Sequence, residues 1–307
     1  MEVRQLKFFL AVVDHGGFSK AAEHLMVAQP SLSQAIAGFE KELGTPLFHR
    51  VGRGVVVSDA GQALIGPARM VLRDVGEAEA AMRELKGLRG GRLDLITMPS
   101  PGMEPLTTIL TAFAEHHPDV TVNAEAGFTP EEVLAAVRSG VCEIGVLGTP
   151  APTRAPDLDI VALESQALVL ISGPDDDVVP GNEVRRADLD GYRLIVSQRG
   201  SLMRALVDDV IAEGVDIIIA AEVAHRTSIL PMVLSGLGRA VMPSAWTQTA
   251  RRAGARVQRI VPETYLHVAA VSRRNHLTAP AAAMMREARE FGRLRAARVA
   301  GADDATN

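Results

Sequence analysis

The hydrophobic positions of the first sixty residues recur at helical spacing and mark out three short helices. Leu6, Phe9, Leu10 and Val13 follow an i, i+3, i+4, i+7 pattern that Gly16 and Gly17 bring to an end. Ser19 can cap a second helix, SKAAEHL, in which Ala21 and Ala22 leave room for a close crossing and Leu25 supplies a core contact. Beyond the turn Met26 to Ala28, Leu32, Ile36, Phe39 and Leu43 share one narrow face of a third helix, and Pro30 suits its first turn. Two short helices joined by so tight a turn read as a helix-turn-helix. The outer face of the third helix is unusual. Pro30, Gln34, Ala37 and Gly38 point away from the apolar stripe, Ser31 and Ser33 lie beside them, and only Lys41 is charged.

A DNA major groove, about 12 Å wide, admits a helix whose outward side chains are short or can hydrogen-bond to base edges. Gln29 and Gln34 each offer a carbonyl and an amide to adenine, Ser31 and Ser33 can bond bases or phosphates, and Ala37 and Gly38 avoid collision. The N–H groups at the start of the helix add a place for phosphate. The alternative is a neutral helix packed against another protein surface. After it, PLFHRVGRGVVVS places two strand-like pieces around Gly52-Arg53-Gly54, a hairpin that would form a wing. Arg53 at its tip could enter a minor groove and Arg50 at its base could meet a phosphate, or both could be solvated loop arginines.

These motifs together resemble the N-terminal winged helix-turn-helix of LysR-type transcriptional regulators. The matching stretches are F-x-x-V near the end of the first helix, G-F-S-x-A-A-x-x-L, Q-P-S-L-S, E-x-E-L-G-x-x-L-F-x-R, and S-x-A-G opening the next helix. The resemblance implies that Gln29, Pro30, Ser31, Ser33 and Gln34 face double-stranded promoter DNA, and that Arg50 and Arg53 contact backbone or minor groove. Ala35, Ala37 and Phe39 depart from the residues common in the family, so the docking mode transfers but the base preference does not.

Ser58 can cap a long helix running to about Lys86, on the order of 40 Å at 1.5 Å per residue. Leu64, Ala68, Val71, Leu72, Val75, Ala78, Met82 and Leu85 form its apolar stripe, and Pro67 should bend it near residue 64. An apolar stripe that long needs a partner, either a second helix or the chain's own C-terminal domain. The resemblance implies a dimerising linker helix, with a tetramer built as a dimer of dimers. GLRGG, Gly87 to Gly91, reads as a hinge.

From Arg92 onward strand-like and helix-like stretches alternate, which predicts a parallel-rich α/β sheet in two lobes. A helix from Ala279 to Arg295 closes the chain, and the small polar tail from about Ala300 reads as disordered. The expected architecture is multidomain: a winged helix-turn-helix over 1–58, a linker helix and hinge over 59–91, and an α/β effector domain over 92–300. Its lobe I spans about 92–162 with 267–296, and its lobe II 163–266. The resemblance implies that this domain is similar to type 2 periplasmic binding proteins.

Open α/β sheets bind ligands at the carboxyl ends of their strands. Four loops should therefore line a cleft between the lobes: PSPGM, GFT, QRGS and RTS. Each carries Ser or Thr beside a helix start, a pattern that favours an anion such as a small carboxylate. Pro99 would line the site, Ser100, Thr129, Ser201 and Thr227 would hydrogen-bond the ligand, and Arg199 would pair with it. Each hydroxyl could equally cap only its own helix.

Composition narrows the function further. The net charge of −5, with only six basic against five acidic residues before position 59, disfavours a DNA binder that relies on phosphate neutralisation alone. The single cysteine, Cys142, rules out an internal disulfide and a cysteine-based zinc site, and its apolar neighbours suggest a buried small hydrophobe. No apolar run approaches the roughly 20 residues of a membrane span, and no signal peptide opens the chain, so a cytoplasmic protein without membrane contact is expected. The eight histidines are scattered and no catalytic motif is present, so neither enzyme activity nor a cofactor or metal is expected. A solute-binding protein or enzyme on the same two-lobed fold is the alternative. RNA polymerase is a further possible partner of a regulator.

Overall fold

A computed structural model describes residues 1–51, 54–85, 91–177, 180–275 and 277–304. The chain forms two compact units, Met1–Gly91 with Ala136–Glu143, and Arg92–Ala135 with Ile144–Asn307.

In the first unit, α1 (Val3–Asp14), α2 (Phe18–His24) and α3 (Gln29–Leu43) precede β1 (Phe48–Val51), β2 (Gly54–Val57) and the long α4 (Asp59–Leu85). Leu32, Ile36 and Phe39 are buried together with Leu6, Phe9, Ala21 and Ala22 in one core. Leu43 differs from its expected inward position: it is 38% exposed, because the last turn of α3 runs past the core before Gly44 ends it at φ 71°. The cap of α2 also differs. Gly17, not Ser19, precedes the helix, because Phe18 turns inward to meet the Phe48 ring at 5.6 Å and the helix starts with it.

Strands β1 and β2 pair antiparallel from Phe48↔Val57 to Val51↔Gly54. Ser58 caps α4 as its sequence suggests, its hydroxyl accepting from Gly61 N at 3.0 Å and donating to the Pro46 carbonyl at 2.6 Å. The glycine in S-x-A-G has a packing reason: a Cβ on Gly61 would overlap the Leu47 carbonyl and sit 2.7 Å from Val57 Cγ1. Along α4, Ile65 and Ala68 are buried in the helical core and Leu64 and Leu72 pack on it, whereas Val71 and Ala78 remain exposed. Of the expected hinge, residues 87–90 lie outside the described residues, and Gly91 already belongs to the next strand.

Apart from Gly91 and the end of α7 from Ala136, the second unit is made of β3 (Gly91–Thr97), α5 (Pro99–Met103), α6 (Leu106–His116), β4 (Val120–Ala126), α7 (Pro130–Arg138), β5 (Ile144–Thr149), β6 (Leu158–Ser172), β7 (Glu183–Arg185), β8 (Arg193–Ser197), α8 (Leu202–Ala212), β9 (Ile218–Val223), α9 (Ile229–Leu234), β10 (Ala240–Pro243), α10 (Thr247–Arg252), β11 (Arg256–Val261), β12 (Tyr265–Arg273) and α11 (Ala279–Asp304). Strand β6 organises it. Residues 158–167 pair with β12, and residues 168–172 pair with β10 and β11, so one strand serves both lobes. In lobe II, Leu168 and Leu170 enter a core with α8, while Val169 and Ile171 enter a second core with α9 and α10. The period-2 alternation of a strand buried on both faces explains why ALVLIS is continuously apolar.

The sheet is mixed, not parallel-rich. β3–β5, β7–β11 and β8–β9 are parallel, but β12 runs antiparallel to both β5 and β6, and β10 and β11 run antiparallel to β6. Returning the chain to lobe I beside β6 without a helical crossover requires that direction. Helix α11 extends to Asp304 instead of ending at Arg295, since LRAARVA is rich in helix formers. Cys142 is fully buried.

Candidate nucleic-acid interface and effector cleft

Helix α3 presents the residues that its sequence singles out. Gln29, Pro30, Ser31, Gln34, Ala37 and Gly38 are exposed and Ser33 is half-buried. Gln29 Nε2 donates to Ser33 Oγ at 2.9 Å, which pre-orients one amide at the start of the helix. Arg50 lies in β1 opposite Val55 in the register, at the base of the hairpin, while Arg53 falls outside the described residues.

Gly38 lies on this exposed surface. A Cβ at that position would meet nothing within 4 Å, so no internal contact requires a glycine. Glycine in a helix interior costs about 1 kcal/mol relative to alanine. The expected result for Gly38→Ala is a more stable helical unit, by about 0.5–1 kcal/mol in denaturant unfolding, with weaker binding to DNA, by about tenfold, if a methyl crowds the groove. Opposite signs in the two measurements separate an outward constraint from an inward one.

The loops expected to line a cleft follow the ends of β3, β4, β8 and β9 in the second unit. Gly127 N donates to the Thr97 carbonyl at 3.0 Å, which ties the loop carrying Thr129 to the loop carrying Pro99 and Ser100. The 3-10 turn Arg226–Ser228, which holds Thr227, packs on α5. Leu202, the first residue of α8, packs on the cores of both lobes and so brings Ser201 to the same region.

Within this arrangement the hydroxyls divide. Thr129 caps α7: its Oγ1 accepts from Glu132 N at 3.2 Å while Glu132 accepts from Phe128 N at 2.7 Å. Ser201 caps α8, accepting from Arg204 N at 3.1 Å, and it lies 2.5 Å from the Ser197 hydroxyl. Ser100 is different. It is 2% exposed, yet its hydroxyl has no hydrogen-bond partner among the described residues. Thr227 and Arg199 are exposed and likewise unpartnered among those residues.

Two further arginines of lobe II are not singled out by the sequence pattern. Arg204 is buried between Asp208 at 2.7 Å and Glu222 at 2.6 Å, and the Asp208 hydrogen bond chiefly holds its guanidinium above the usual arginine pKa. Arg226 is half-buried with no acidic partner among the described residues, and burial lowers its pKa. No signal in the sequence separates Arg204 and Arg226 from the other arginines of the lobe, because the difference lies in partners brought from distant elements, such as Glu222 at Arg204.

Residues 3–62 match the family described as bacterial regulatory helix-turn-helix protein, lysR family, and residues 86–293 match the LysR substrate binding domain. Among curated relatives, the transcriptional activator CmpR of Synechocystis sp. is 25% identical over 241 residues, covering 78% of this chain and 78% of that protein. The regulator TfdT of Cupriavidus pinatubonensis is 35% identical over 145 residues, 47% of this chain and 63% of that one. Among solved structures, CbnR, a LysR family transcriptional regulator, aligns over 95% of this chain and 99% of its own with 24% identity and a TM-score of 0.67. Full-length CbnR in complex with its target DNA aligns with a TM-score of 0.66, at 24% identity, over 95% of this chain and 100% of its own.

Proposed function

This chain belongs to the LysR family of bacterial DNA-binding transcriptional regulators, which are not enzymes, and from that premise we propose that α3 reads operator bases and that a small carboxylate in the lobe cleft controls the regulator. The observation that carries the DNA contact is the neutral outer face of α3, where Gln29, Ser31, Ser33 and Gln34 stand exposed or half-exposed around a glycine that no internal contact requires. Arg50 of β1 holds the DNA backbone and Arg53, three residues on in the sequence, enters the minor groove. CbnR, which shares this fold, has been solved in complex with its target DNA, which supports a DNA-binding role.

Helix α4 pairs with its counterpart in a second copy, and its exposed Val71 and Ala78 supply apolar area for that seam. Two reading heads then address a roughly two-fold site, and dimers pair into tetramers. A regulator that reads promoter DNA works in the compartment that holds that DNA, which in bacteria is the cytoplasm. Among the described residues no helix is long and apolar enough to cross a membrane.

The effector is a small carboxylate received by Ser100, with Pro99, Thr129, Ser201 and Thr227 shaping the loops around it and Arg199 attracting it from the rim. A ligand that prefers the closed cleft shifts the population toward that state and thereby changes the spacing of the reading heads on DNA. Ser100→Ala removes an uncommitted hydroxyl without disturbing any cap. Its expected effect is a loss of carboxylate affinity of about fivefold to tenfold in calorimetric titration, with the melting temperature of the ligand-free protein unchanged. Absence of heat from wild-type protein across a panel of small acids would remove the carboxylate assignment.

A further inference from the structure

Lobe II carries two arginines with opposite surroundings. The guanidinium of Arg204 is neutralised by two carboxylates, Asp208 and Glu222. Arg226, by contrast, is half-buried with no hydrogen-bonding or acidic partner among the described residues. Burying a cation without a counter-charge is unfavourable, and such a group persists where something outside the folded chain supplies the missing charge. The 3-10 turn that bears Arg226 packs on α5, and α5 bears Ser100, which is buried and whose hydroxyl has no partner among the described residues. A donor hydroxyl and a desolvated donor cation on two adjoining elements leave the same chemical need unmet: an oxyanion.

We propose that Arg226 is the specificity-determining cation of the effector cleft, selecting ligands whose carboxylate lies between its guanidinium and the Ser100 hydroxyl. This rests on the carboxylate reading above and deepens it, because it places the charge-reading role on a desolvated side chain. Arg199, an exposed side chain, contributes little beyond attraction at a distance, since an exposed ion pair is weak and screened by salt. Arg226, partly removed from water, interacts with the same carboxylate in a lower effective dielectric. The planar guanidinium also matches a carboxylate in two parallel hydrogen bonds, which a lysine cannot make.

The test uses the full-length protein and a fixed set of probes: acetate, benzoate, succinate and citrate, with benzamide and succinamide as uncharged counterparts. Calorimetric titration of wild type is expected to show binding of at least one acid and weaker binding, by about tenfold or more, of its amide. Arg226→Gln is expected to bind that acid about tenfold or more weakly while its affinity for the amide stays unchanged. Arg226→Lys should fall between the two. The ligand-free Arg226→Gln protein should melt at the same temperature as wild type or above it, because the substitution removes an uncompensated charge; a purely structural arginine would give the reverse. If wild type binds an acid and Arg226→Gln binds it equally well, Arg226 is not the selecting cation and the carboxylate reading survives. The proposal is overturned in the same way if Arg199→Gln, and not Arg226→Gln, abolishes binding. If wild type binds none of the acids, both conclusions fall together. Should Arg226→Gln fail to fold, Arg226→Lys decides: unchanged discrimination between acid and amide, with unchanged affinity, overturns the proposal.

Discussion

Replacing Ser33 and Gln34 together by glutamate is expected to abolish selective binding to the chain's own promoter, lowering operator affinity by at least about a hundredfold. A good hydrogen-bonded contact to a base edge is worth about 1–3 kcal/mol, so two lost contacts alone approach that factor. The carboxylates add repulsion from the phosphates on either side of the groove. The substitution leaves the fold alone. Gln34 is exposed and Ser33 half-exposed, neither belongs to the core of the first unit, and acidic residues in the N-terminal half of a helix oppose no helix dipole. Gel retardation with the upstream fragment measures the first effect, and circular dichroism with thermal melting verifies the second. Retention of wild-type affinity would show that α3 is turned away from the bases.

The largest stability effect is expected at Phe39. Its ring is fully buried with Leu32, Ile36, Phe9 and Leu6, and it sits on the inner face of the same helix. Phe39→Ala should cost about 3–5 kcal/mol through lost burial and the cavity left behind. That is a large share of the roughly 5–15 kcal/mol typical of a whole domain, and the three-helix core is small. Since the second unit has cores of its own, loss should be confined to the first. Calorimetry is expected to show the transition of the helical unit falling by more than about 10 °C, with the second unit unmoved and DNA binding lost. A single transition that moves as one block would mean that the two units unfold together.

These two substitutions lie on opposite faces of one helix, and both faces are legible in the sequence for the same reason. A short amphipathic helix reports its inner face by periodicity and its outer face by departure from ordinary solvated chemistry. Leu32, Ile36 and Phe39 are buried as their spacing predicts, and Gln29, Ser31 and Gln34 are exposed. Leu43 breaks the pattern because periodicity gives direction around a helix, not how far along it the core extends. Ser19 has the right chemistry to cap α2, but the inward demand of Phe18 outweighs a side-chain cap.

In the second unit the rhythm of strands and helices is readable, but the direction of the strands is not. The antiparallel placement of β12 between β5 and β6 is a long-range pairing across about a hundred residues, and no local pattern encodes it. The first half of β6 is hidden because LDIVALES mixes charged and apolar residues along the stretch that pairs with β12. Strand β11 is hidden for a related reason, since Gln258 is buried among arginines that stay exposed. The cleft loops are legible as a set, whereas their roles are not. Thr129 and Ser201 are committed to helix caps and Ser100 is uncommitted, a distinction that depends on hydrogen-bond partners the sequence does not display.

The most direct measurement of the central claim is competition between the chain's own upstream DNA and a scrambled duplex of equal length and composition, at about 150 mM salt. Base reading by a nearly neutral helix predicts a preference of about a thousandfold or more for the natural sequence, persisting as salt rises because few phosphates are neutralised. Equal binding of the two duplexes, with affinity collapsing as salt rises, would contradict it.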